Sequence, residues 1–247
     1  MDKSLRNRKI DIPKFAIVTI GEIFAVISII IFARGADWTR SVAAALSMFT
    51  VLLPTITELL LRQKMTLPCF LIGMLYAIGP MLGLTYRMYF ILPWWDKLLH
   101  FTGGVIFALI GFEIARKLCR GKANDVSIWL IAFFGICFSV TLSALWEFTE
   151  YAVDVTLALD MQTDTVVTSI SSYNLTSDPE VRTSIEGINE VVVNGSPLGL
   201  GGYLDIGLHD TMADMIVETL GAVIITAVFV IRKGAIAIFR KPAEENR

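Results

Sequence analysis

Histidine is the scarcest chemistry-bearing residue here: the 247-residue chain has only two, His100 and His209, and no HExxH or similar zinc signature. Cysteine is nearly as rare. Cys69 and Cys137 lie in long apolar runs and Cys119 in a basic stretch, so neither a disulfide framework nor a zinc-finger spacing is present. Charge is also sparse, at 18% of residues, and nearly balanced at a net −2, which offers no basic footprint for nucleic acid. What the chain has in abundance is apolar length, 55% hydrophobic residues, and that moves it out of the soluble classes.

A hydrocarbon core about 30 Å thick needs roughly 20 apolar residues per helix. Six stretches meet that length, at residues 13–33, 42–61, 67–86, 97–114, 126–148 and 212–231. The expected fold is an all-α polytopic membrane bundle, one membrane domain over 1–247, with the lipid bilayer as its first partner. The connection 157–202 is the one sizeable polar segment. Its β-branched runs at Thr165 to Ile170 and Val191 to Val193, the second followed by Asn194-Gly195, predict short strands or a hairpin on the extracytoplasmic side.

Sixteen of the 21 lysines and arginines fall in the termini and in the loops after the second and fourth segments; Arg34, Arg40, Arg87, Lys97 and Arg182 fall on the other side. By the positive-inside rule both termini are cytoplasmic. The first segment reads either as a cleaved leader or as an uncleaved helix. Its apolar run is longer than a signal core and lacks a small-x-small cleavage site, so an uncleaved helix is expected.

Ionisable residues inside membrane segments need a reason. Glu22 stands a third of the way along the first segment. Glu58 is expected to pair with Arg62 at i+4, and Glu113 with Arg116 and Lys117, as interfacial ion pairs. The outer ends of the last three segments are richer. Asp96, placed to cap the fourth helix, and His100 are i and i+4, on one helix face. Ser143, Glu147, Glu150 and Asp154 recur at spacings of four, three and four, an inward-facing polar stripe on the fifth helix. Asp210 and Asp214 are i and i+4 on the sixth, with Gly221 continuing that face as a close-packing point and either Asp205 or Asp210 available as cap. His209 turns to another face, and Glu218, two turns in, reads as a supporting or helix-helix contact.

Topology puts Asp96, His100, Glu147, Glu150, Asp210 and Asp214 at one external depth. Acids in such excess over bases, with a histidine among them, suit either a divalent metal ion or a proton-handling catalytic site. Caps, solvated helix ends and a hydrogen-bonded core histidine are the structural alternative for the same six. A path through Glu22, Glu58 and Glu113 would make the chain a proton-coupled permease, and close pairing of every acid would make it a scaffold.

DKLLHF followed by a glycine pair, a helix containing WEFTE, and GYLDIGLHDTMADM with a terminal LGA resemble the YjdF-like family of bacterial inner-membrane proteins of unknown function. More distantly they are similar to the VanZ-like family, in which an Asn stands where this chain has Glu218. The resemblance covers about Asp96 to Ala222. It implies the bacterial cytoplasmic membrane, and the VanZ-like likeness implies a link to the cell envelope and a lipid-linked or cell-wall-related ligand.

Overall fold

The computed structural model describes residues 11–61, 63–119 and 126–236. Six of its helices are long and apolar enough to cross a membrane: α1 (Ile12–Arg34), α2 (Trp38–Leu61), α3 (Leu67–Thr85), α5 (Trp95–Leu118), α6 (Ile128–Leu157) and α7 (Leu208–Ile231). The four-residue helix α4 (Met88–Ile91) sits between α3 and α5, entered through Arg87 in the left-handed region at φ 59°. The chain divides into two compact units, one of Met1–Leu142 with Val217–Arg247 and one of Ser143–Ile216. Helices α6 and α7 each contribute to both.

In the first unit α1 packs on α2, α2 on α3, and α3 on α5. Pro13 starts α1, where its missing N–H costs nothing. The core gathers Phe70 and Met74 of α3, Ile106, Leu109 and Phe112 of α5, and Phe229 of α7, whose ring stacks on Phe112 at 4.2 Å. The opposite faces carry exposed Ile20, Phe49, Leu84 and Trp129, the inverse of a soluble protein and the arrangement a bilayer rewards. Of the six spans α5 is the most enclosed, with eleven buried residues including His100.

Ion pairs at Glu58 and Glu113 help tie the first unit together. Lys14, buried near the start of α1, donates to Glu58 and, at 2.6 Å, to the carbonyl of Met65. Glu58 also accepts the Met65 N–H at 2.7 Å. The expected Glu58–Arg62 pair falls on Arg62, which lies outside the described residues; within them Glu58 is held by a lysine 44 residues away. Glu113 keeps its local partner, Arg116 at 2.8 Å, and Arg116 also donates to the carbonyls of Gly234 and Ile236 beyond α7.

The second unit joins the end of α6 to the start of α7 through three antiparallel pairs. β1 (Thr165–Val167) pairs with β6 (Tyr203–Asp205), β2 (Ser169–Ser172) with β3 (Thr183–Glu186), and β4 (Val192–Val193) with β5 (Ser196–Pro197). The last hairpin turns on Asn194 and Gly195, both at positive φ, as the Asn-Gly signal requires.

Candidate functional site

In the first unit the site is built on α5. Trp94 occupies the cap position, and Asp96 is the second helical residue, not the cap expected from its type. In that first turn its charge still opposes the positive end of the helix dipole. One turn on, His100 is buried, with 7% of its surface exposed, and its Nε2 lies 3.8 Å from Asp96 Oδ1. The i, i+4 spacing brings Asp96 and His100 together as read from the sequence. Lys97 holds the other oxygen of Asp96, Oδ2, at 3.2 Å.

The far side of the imidazole faces α7: Nδ1 of His100 lies 3.4 Å from Glu218 Oε2. Glu218 is 3% exposed in the middle of an apolar helix, and its other oxygen, Oε1, is buried without a hydrogen-bond partner. Two glycines permit this approach. A Cβ on Gly104 would stand 1.9 Å from the Glu218 carbonyl oxygen, and a Cβ on Gly221 would stand 2.3 Å from that of Phe101. No rotamer change relieves a clash with backbone, so only glycine fits at either crossing point. The result is one imidazole flanked by carboxylates on both of its nitrogen sides. Sequence reasoning ranked Glu218 below Asp210 and Asp214. The signal was present, since Asp210, Asp214 and Glu218 recur every fourth residue along one face of α7.

In the second unit the α6 stripe is inward. Ser143, Glu147 and Glu150 are buried and Asp154 half-buried, while Leu145, Phe148 and Tyr151 between them are exposed. Glu150 accepts the indole N–H of Trp146 at 2.9 Å, and Asp154 accepts the backbone N–H groups of Met161 and Gln162 at 2.6 and 2.8 Å. Asp154 is therefore a structural anchor for the loop that leaves α6. Asp214 is 1% exposed. Asp210 accepts the Thr163 N–H at 3.0 Å, and Asp205 accepts the His209 N–H at 2.8 Å, which makes Asp205 the side chain that covers the start of α7. His209 itself is exposed. Asp160, in the loop between α6 and β1, has its carboxyl raised above the ordinary aspartate range, chiefly by desolvation, then by the charge of Asp164, with Asp154 and Asp210 adding to it and the Asp164 backbone hydrogen bond opposing.

Chemically, the first unit offers imidazole and carboxylate donors of the kind that bind first-row transition metals, and the second holds buried acids on α6 and α7. No curated protein and no solved structure matches the chain. A family described as predicted membrane protein (DUF2238) matches residues 14–235, which extends well beyond the Asp96 to Ala222 stretch that carries the motifs and takes in α1 and α2. With six membrane-length helices and a match over nearly its whole length, the chain belongs to that family of membrane proteins, whose function is unknown.

Proposed function

We propose that this chain is a bacterial cytoplasmic-membrane protein that holds a divalent metal ion at Asp96 and His100, on the extracytoplasmic side, and acts there on a lipid-linked or cell-wall-related ligand. The observation that carries the reading is the 3.8 Å between His100 Nε2 and Asp96 Oδ1. That separation is too long for a hydrogen bond, and it suits two donors at about 2.0–2.2 Å from one ion. Lys97 takes one oxygen of Asp96 and leaves the other facing the imidazole. Glu147, Glu150, Asp210 and Asp214 are proposed as residues the same function requires; support for them is their position near the outer ends of α6 and α7 and, for Glu147, Glu150 and Asp214, their burial.

The permease reading has less support. Two of the three acids it needs, Glu58 and Glu113, are engaged by Lys14 and Arg116. The test is elemental analysis of the protein purified in detergent after exposure to Zn²⁺, Mn²⁺ and Co²⁺. Wild type should retain about one ion per chain, the stoichiometry of a single site, and Asp96→Ala and His100→Ala should retain none while staying folded. A wild type that binds no ion under these conditions, or variants that bind like it, would sink the reading.

A further inference from the structure

We infer that Glu218 is a positioning residue of this metal site: it holds the Nδ1–H of His100 and so turns the Nε2 lone pair toward the ion shared with Asp96. The inference rests on the metal reading above but is separable from it.

Three observations converge. The first is distance: of these two carboxylates Glu218 comes nearer to the ring, with Oε2 3.4 Å from Nδ1 against 3.8 Å between Asp96 Oδ1 and Nε2. In this reading the ring hydrogen lies on the Glu218 side. The second is cost. A carboxylate buried to 3% exposure in an apolar span, with Oε1 lacking any hydrogen-bond partner, is expensive to keep unless a function uses it. The third is that the backbone is arranged for it, because Gly104 and Gly221 give up their side chains at the points where α5 and α7 touch, one of them against Glu218 itself. Metal-bound imidazoles characteristically donate their second N–H to a carboxylate, which fixes the tautomer and makes the ligating nitrogen a better donor. Glu218 supplies that carboxylate from a different helix than the ligands, so the quality of the site depends on how α5 and α7 cross.

The chain has only two histidines, so ¹⁵N-histidine NMR of the full-length protein in detergent resolves His100 from His209. Metal-free wild type should show His100 with hydrogen on Nδ1. Glu218→Leu should remove that preference, and Glu218→Gln, which keeps the shape and one acceptor oxygen, should weaken it. Titrated with Co²⁺ and with Zn²⁺, Glu218→Gln should bind about 10- to 100-fold more weakly at unchanged stoichiometry. A wild-type His100 carrying its hydrogen on Nε2 overturns the inference without any variant, and so does unaltered affinity in a folded Glu218→Gln. If Asp96→Ala and His100→Ala also bind like wild type, the metal reading itself has failed; if they lose the ion while Glu218→Gln does not, only the positioning role has.

Discussion

Asp160 illustrates how a single residue reports on its surroundings. Its carboxyl is pushed up by desolvation and by the acids Asp164, Asp154 and Asp210, so the folded protein keeps that proton after the unfolded chain has lost it. A raised carboxylate pKa penalises the folded state as pH rises. The penalty is absent below the unfolded value of about 4, grows as pH rises through the folded value, and is constant above it. Asp160→Asn should therefore match wild type in thermal stability at the acid end and become the more stable of the two as pH is raised toward neutrality. Melting curves of both proteins across that range, in one detergent, check this; a difference independent of pH would contradict it.

At the scale of helices, the crossing of α5 and α7 is the element contact on which the site depends. A methyl group at Gly104 would meet the Glu218 carbonyl oxygen at 1.9 Å, and the obstacle is main chain, which cannot rotate aside. Gly104→Ala should destabilise the protein by about 1–3 kcal/mol, the usual range for overpacking, and should weaken metal binding together with stability because it separates Glu218 from His100. Denaturation in mixed micelles, paired with Zn²⁺ titration, measures both. An unaffected Gly104→Ala protein would mean that the helices do not approach as described. The stripe on α6 shows the complementary case, in which one helix explains itself. Spacings of four and three place Ser143, Glu147 and Glu150 on one side, and the apolar Leu145 and Phe148 between them are exposed.

For the whole molecule, the six membrane-length helices among the described residues are an even number, and an even number of crossings would bring the segments before α1 and after α7 to one side of the membrane. By the positive-inside rule, the concentration of lysine and arginine at the termini and in the loops after the second and fourth spans predicts that this side is the cytoplasm. The same rule predicts that the segment carrying the three antiparallel strand pairs faces outward. Single cysteines introduced at Ser177 and at Ser4, in a background with Cys69, Cys119 and Cys137 replaced, should differ in reactivity toward a membrane-impermeant thiol reagent on intact cells. Ser177→Cys should label and Ser4→Cys should label only after the cells are opened. The reverse pattern would invert the topology and move Asp96 and His100 to the cytoplasmic side.

What the sequence determined by itself were the features that follow from spacing along one element. Apolar run length sets the number of spans because the bilayer has a fixed thickness. The i, i+4 step joins Asp96 to His100, the α6 stripe follows the helical period, and Asn194-Gly195 turns a hairpin because both residues tolerate positive φ. The short helix α4, which follows the left-handed turn at Arg87, carries no periodic signal and was not foreseen. Partner choice between elements was decided by tertiary structure alone. Glu58 is held by Lys14, 44 residues away in sequence, because α1 packs on α2 and the buried lysine needs a counter-charge. Glu218 looked like a supporting contact because the helical period says which face a residue occupies and nothing about what that face meets. Only the glycine-lined crossing of α5 and α7 sets its carboxylate beside His100 Nδ1.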